Sequence, residues 1–366
     1  MEFKSDRLIS VDILRGLTII FMIIVNDPGS RSHVYAPLLH AEWNGITPTD
    51  YIFPTFLFIV GVSIVLSFTK QIELGKDRTQ LTKKVLIRAL KIYSVGIFLW
   101  LWPDFNFDEI RWVGVLPRIA FVFLGCALLF LYTSRKTQLY IGITILLFYW
   151  IIMAYIPVPG IGIPDLSVPE KNWAHYIDKL LLPGRLWQQT WDPEGILSTL
   201  PSIASGIMGM ISGYILLKKD ELGMKINQLF IFGFLLLFLG DLMQWVFPLN
   251  KNLWSSSFSL LMGGITAISL ASSIYIFDLK KSNYKFKFAH VFGVNSIFSY
   301  SLSSILTVVF YSSKLWGFAL SDKFMNLWEC IGLPLKMGSL VYALFYVIIL
   351  WLPTYYLYQN KVFIKL

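Results

Sequence analysis

Apolar positions in this chain fall in long runs broken by short polar stretches. They show neither the strict alternation of a half-buried strand nor the narrow stripe of a surface helix. A helix needs roughly 20 mostly apolar residues to cross a bilayer. On that measure the pattern predicts ten spans, near Leu8–Asn26, Tyr51–Thr69, Val85–Trp102, Val115–Thr133, Leu139–Ile156, Leu197–Leu217, Leu229–Phe247, Phe258–Phe277, Phe288–Tyr311 and Met337–Tyr358. The expected fold is an all-α polytopic membrane bundle, read as a single domain over residues 1–366. The first run has no small-residue cleavage site before it ends, so it reads as a retained helix and not a removed signal peptide. No internal repeat emerges.

Composition agrees with the pattern. Of the 366 residues 56% are hydrophobic and only 14% charged, and the mean hydropathy is +0.63. A soluble domain of this size needs more polar surface. The net charge of +9 does not point to nucleic acid, because the basic residues sit in short loops between apolar runs. There they act as an orientation signal. One set of alternate loops carries 18 Lys and Arg, including Lys4, Arg7, Lys70, Lys76, Lys218, Lys219, Lys280, Lys285 and Lys365, and the opposite set carries 9. Both termini are thus expected in the cytoplasm, which needs an even number of spans. Cys126 and Cys330 are far apart, and no Cys-x-x-Cys or His-x-x-x-His spacing occurs. Neither a disulfide framework nor a metal site is expected.

This orientation turns five segments outward: Asp27–Asp50, Pro103–Gly114, Pro157–Ile196, Pro248–Ser257 and Ser312–Lys336. They hold His33, His40 and His175. His40 opens the stretch His40-Ala-Glu-Trp-Asn-Gly45 and ends at Asp50, which can orient an imidazole or cap the second span. His40 reads either as a proton acceptor or as a solvated bystander. In the first span Asp12 and Arg15 lie one turn apart and can pair. They read either as a helix-end ion pair with Arg15 reaching the headgroups, or as part of an anion site. The clusters Arg111–Arg118, Trp191–Thr199 and Asn250–Ser255, with Gly293 and Asn295, suit interfacial anchoring and capping equally well.

Together these clusters resemble the heparan-alpha-glucosaminide N-acetyltransferase family in its bacterial form. The resemblance runs through Arg7–Thr18, Val25-Asn26, His40–Gly45, Asp50–Phe58, Gly114–Arg118, Asp192-Pro-Glu-Gly195, Asn250–Ser255 and Gly293–Ser296. It departs at Pro117, where many members carry glutamine. The resemblance implies an acetyl-CoA-dependent enzyme of the inner (plasma) membrane that acetylates the amine of an extracytoplasmic amino sugar or glycan end. His40 falls on the active-site histidine and Asn26 on the active-site asparagine. Trp43, Asn44, Asp50, Arg118, Glu194, Lys251, Trp254 and Asn295 are expected to bind substrate or frame the site. Asp12, Arg15, Arg88 and Lys91 are expected near the cofactor phosphates, with no metal. An acetyl-histidine relay, an O-acyltransferase acting on an envelope glycan and a secondary sugar transporter are the alternatives. The lipid bilayer is an expected partner, and a homodimer is left open.

Overall fold

The computed structural model describes residues 8–282 and 286–364. Lys4, Arg7, Lys285 and Lys365, which enter the charge count, lie outside the described residues. The chain is all-helical. In order it forms α1 (Ile9–Asn26), α2 (Ile52–Glu73), α3 (Arg78–Leu101), α4 (Val115–Tyr132), α5 (Arg135–Tyr155), α6 (Trp173–Leu181), α7 (Thr199–Leu216) and α8 (Leu222–Met243). It continues with α9 (Ser256–Ser273), α10 (Lys287–Val294), α11 (Ser296–Phe310), α12 (Leu320–Cys330) and α13 (Leu335–Gln359). A 3₁₀ turn, Pro48–Tyr51, leads into α2, and a π-helical turn, Ile274–Leu279, extends α9.

Among the described residues, eight helices are long and apolar enough to cross a bilayer, and α10 with α11 makes a ninth if the bent pair counts as one. The chain is a polytopic membrane bundle, and two of the ten predicted spans depart from expectation. The helix expected at Val85–Trp102 forms as α3, but every 18-residue window of it carries at least three of Arg78, Lys83, Lys84, Arg88 and Lys91. Charge at that density is expensive in hydrocarbon. The continuous span expected at Phe288–Tyr311 is broken at Asn295 by an 87° bend. The outward connections are also less bare than expected, since α6 and α12 lie within them.

The helices gather into two compact units. Unit 1 comprises the described parts of Met1–His40 and Ser269–Lys365, with Thr47–Ile52. Here α1 packs on α10, α11, α13 and the 3₁₀ turn. The contact of α1 with α10 is a backbone contact: a Cβ on Gly16 would lie 1.7 Å from the Ala289 oxygen, and one on Gly293 1.7 Å from the Asp12 oxygen. Small residues allow such approach in membrane helices, where no hydrophobic drive separates helix from lipid.

Unit 2 comprises Ala41–Ile46 and Phe53–Ile268. Its centre is α7, buried along Pro201, Ser202, Ala204, Ser205, Gly206 and Gly209 and packed against α4, α5 and α8. The α8 helix turns Phe234, Leu235, Phe238 and Leu239 outward, as a helix in contact with lipid does.

Candidate functional site

In unit 1, the loop after α1 brings His40 onto Asp50. His40 Nδ1 lies 2.7 Å from Asp50 Oδ1. The carboxylate is 1% exposed while the imidazole is 46% exposed. The other oxygen of Asp50 accepts the Thr47 backbone N–H at 2.9 Å and its hydroxyl at 3.1 Å. The Asp50 N–H returns to the Thr47 carbonyl at 3.0 Å, so the turn is closed reciprocally in the manner of a capping box. Thr47 also donates its hydroxyl to the Leu39 carbonyl at 2.6 Å, and Thr49 to that of Pro37 at 3.1 Å. These bonds tie the histidine-bearing strand of chain to the start of α2. An ionised carboxylate only accepts, so Nδ1 is the donor of this pair, and in the neutral ring the lone pair lies on Nε2. Asn26 ends α1 with an exposed side chain, and its amide makes no hydrogen bond among the described residues.

At the opposite end of α1, Arg15 donates to Asp12 at 3.2 Å and to the Gly293 carbonyl at 3.5 Å. A cavity of about 480 Å³ opens there, lined by Asp12, His290, Tyr358, Gln359 and Lys361 among others. Asn295 stands at the α10–α11 corner, inside the span expected at Phe288–Tyr311. Its amide donates to the Val362 carbonyl at 3.1 Å and accepts from the Ile364 N–H at 2.9 Å. It thus fixes the segment that carries Lys361 along the cavity wall.

Unit 2 holds the remaining site candidates around the Trp191–Ser198 loop. Arg111 grips Asp192 with two bonds, at 2.7 and 2.5 Å, and Glu194 at 2.6 Å. Its guanidinium lies 5.1 Å from the Trp187 ring and 5.6 Å from the Trp100 ring. Burial would strip its proton more easily, but its hydrogen bonds to Asp192 and the charge of Glu194 outweigh that and hold it more firmly than in water. Asp192 further accepts the N–H groups of Trp187 and Glu194. On the other side Arg118, 1% exposed, donates to the Gly195 carbonyl at 3.2 Å and to the Ser198 hydroxyl. It sits 5.2 Å over the Trp254 ring. Trp254 is buried, donates to Ser205 at 3.1 Å and meets Phe53 and Phe258 edge-on. Protein packs this ring, so it frames the region and offers no open stacking face.

Asn44 accepts from Asn250 at 3.1 Å, and the Gly45 N–H donates to the Leu249 carbonyl at 2.8 Å. Gly45 has φ +100°, a conformation glycine adopts without penalty. Lys251 lies in the turn that Asn250 closes through the Leu253 N–H. Trp43 donates to the Leu166 carbonyl at 2.8 Å and packs on His175 and Trp191. Arg88 and Lys91 are exposed on α3, Arg88 over the Phe123 ring. The four expected cofactor contacts are therefore divided, with Asp12 and Arg15 in unit 1 and Arg88 and Lys91 in unit 2.

The sequence alone assigns no individual role to Arg111, Asp192, His175 or Asp178. His175 is stacked on Trp191 at 5.1 Å, and Asn172 donates to its Nδ1 at 3.1 Å. Burial pushes its pKa down to about 3, so it is neutral. Asp178 accepts the Ile196 N–H at 2.7 Å, and a Cβ on Gly195 would lie 1.8 Å from its carboxylate. Burial and then the charge of Asp192 push its pKa up to about 7 against the pull of the Ile196 N–H and Arg118. The available signal was the density of Trp beside paired charges in this stretch, which marks a packed polar loop better than a solvated one.

The chain matches the family model described as heparan-alpha-glucosaminide N-acetyltransferase, catalytic, over residues 7–247. It is 29% identical over 310 residues to the heparan-alpha-glucosaminide N-acetyltransferase of Mus musculus, covering 70% of this chain and 47% of the mouse protein. It is 29% identical over 329 residues to the protein of that name from Homo sapiens, covering 75% of this chain and 49% of the human one. The chain spans about half the length of these two relatives. With the matching model covering well over half of its length, the chain belongs to the heparan-alpha-glucosaminide N-acetyltransferase catalytic family.

Proposed function

We propose that the chain transfers an acetyl group from cytosolic acetyl-CoA to the amine of an amino sugar of the glucosamine type on the outer side of the cell's inner membrane, acting as one transmembrane acyltransferase domain. The observation that carries this reading is the His40–Asp50 pair, a buried carboxylate holding an exposed imidazole at 2.7 Å. With Nδ1 committed to Asp50, Nε2 of the neutral ring is the nitrogen proposed to act as the base. A base in that state takes a proton from the attacking amine as the carbon–nitrogen bond forms, and returns it to the departing sulfur. Asn26 donates amide hydrogens to the developing oxyanion. One such donor is typically worth about 3 to 4 kcal/mol. Direct attack in a ternary complex is favoured over an acetyl-histidine relay, because Asp50 equips His40 for proton transfer.

The lysine-rich loops are proposed to face the cytoplasm with both chain ends, α3 counting as a tenth crossing. The 480 Å³ cavity beside Asp12 and Arg15 is then on the side from which acetyl-CoA comes. Its mixed lining suits a nucleotide: Asp12 and Gln359 for the amino edge of the base, Tyr358 for its face and Lys361 for phosphate. Arg15 holds Asp12, and Arg88 and Lys91 are proposed as a further cationic approach. Glu194, Arg118, Lys251, Asn44, Trp43 and Trp254 gather in unit 2 and are proposed as sugar-side residues there, and Asn295 secures the cavity wall of unit 1.

The test is acetyl transfer by purified protein from labelled acetyl-CoA to glucosamine. The expected result is turnover in wild type and a loss of at least ~100-fold in His40→Ala. Folded wild type that acetylates no amino sugar, or a His40→Ala variant with full turnover, overturns the reading.

A further inference from the structure

The helix α1 runs out at Asn26 and is followed by Asp27-Pro28-Gly29. This turn is stitched to two other helices of unit 1. The Tyr311 hydroxyl donates to the Asp27 carbonyl at 2.6 Å. Ser339 accepts the Gly29 N–H on its carbonyl and the Ser30 N–H on its hydroxyl, each at 3.0 Å. The Asp27 backbone is thus fixed, and the residue is 9% exposed. Its carboxyl nevertheless makes no hydrogen bond or ion pair among the described residues. Arg31 on its own loop, Tyr311 at the end of α11 and Tyr346 on α13 are the charged and titratable groups that face it, with Tyr342 behind the tyrosines. Burying a carboxyl without a partner is costly, and here the cost falls beside Asn26, at the same end of α1 as the 3₁₀ turn that presents Asp50.

The proposed reaction leaves a proton unassigned. An amino sugar arrives largely as an ammonium, which must shed two protons to become an amide nitrogen, whereas His40 handles one. We propose that Asp27 is a second catalytic base, which binds the acceptor's ammonium and takes its first proton. This rests on the reading of the chain as an amine acetyltransferase. The ammonium gives one proton to the Asp27 carboxylate and becomes a neutral amine. The nitrogen lone pair then forms the bond to the thioester carbon. His40 Nε2 takes the second proton, and the carbon–sulfur bond breaks as that proton passes to sulfur. The amide and free thiol leave, and Asp27 releases its proton to the outer water. Asp27 is suited to this exchange because burial, opposed by Arg31, pushes its pKa up to about 7.

The experiment measures kcat/KM for glucosamine from pH 5 to 9 in the full chain, comparing wild type, Asp27→Asn and Asp27→Glu. Asp27→Asn is expected to lose about 100-fold near pH 7, where the Asp27 carboxylate and the acceptor's ammonium coexist, and less at pH 5, where the wild-type carboxyl is itself protonated. The defect should shrink as pH rises past the amine's own pKa, where free amine is already present, and Asp27→Glu should restore part of the activity. An aminooxy acceptor, which is neutral throughout this range, should be acetylated equally well by wild type and Asp27→Asn. A loss that is the same at every pH and for both acceptors, or no loss at all, overturns the assignment. Wild type that acetylates neither acceptor overturns the underlying reading instead.

Discussion

At the scale of single residues, the polar groups of this bundle do their work through which oxygen or nitrogen is already taken. Asp50 spends one oxygen on Thr47 and the other on His40. Replacing it with asparagine keeps the shape but presents an N–H₂ to Nδ1, and this shifts the imidazole proton to Nε2. Turnover of Asp50→Asn is expected to fall by about two orders of magnitude or more, with little change in KM for acetyl-CoA. Steady-state kinetics on folded variant check this. Asp178 gives a stability prediction of definite sign. Its folded pKa of about 7 exceeds the unfolded value of about 4, so the folded state holds the proton more tightly. That contribution is complete below pH 4 and is lost as pH rises through 7. Thermal unfolding should therefore show Asp178→Asn gaining on wild type as pH goes from 4 to 8. A constant difference across that range would rule it out. The pairing of His40 with Asp50 could be read from the sequence, because ten residues of loop return to a helix start. Asp178 could not, since its role depends on a fold that lays it against Gly195.

Between elements, the determining contacts are backbone against backbone. The ten apolar runs were visible because length and hydropathy are local properties, and their boundaries shifted mostly where helices extend past the apolar stretch, as α8 does by starting at Leu222. The bend at Asn295 was hidden, because α10 and α11 are each apolar and the turn between them is set by Asn295 holding Val362 and Ile364. The α1–α10 contact was likewise hidden: Gly16 and Gly293 look like ordinary glycines until they meet. A leucine at Gly293 would drive side-chain atoms into the Asp12 carbonyl. Overpacking of this kind costs about 1–3 kcal/mol or more. Gly293→Leu should lower the melting temperature measurably by detergent-based thermal shift, whereas Gly223→Leu, which meets nothing within 4 Å, should not.

For the whole molecule, the orientation can be checked with a residue the chain already has. Cys126 is buried and Cys330 is exposed on α12, in a segment that charge counting turns outward. A membrane-impermeant maleimide should label intact cells at Cys330, and Cys330→Ser should abolish that labelling. Labelling only after the membrane is opened would reverse the proposed sidedness. The order in which the chain is made gives the α1–α10 contact a different meaning. Some 278 positions separate Arg15 from its Gly293 acceptor, and ribosomes add roughly 5–20 residues per second. The first helix therefore waits about 15–55 s in the bilayer before its partner exists. Asp12 and Arg15, three residues apart on one helix, can neutralise each other during that interval, so the newborn helix brings its own counter-ion into the lipid.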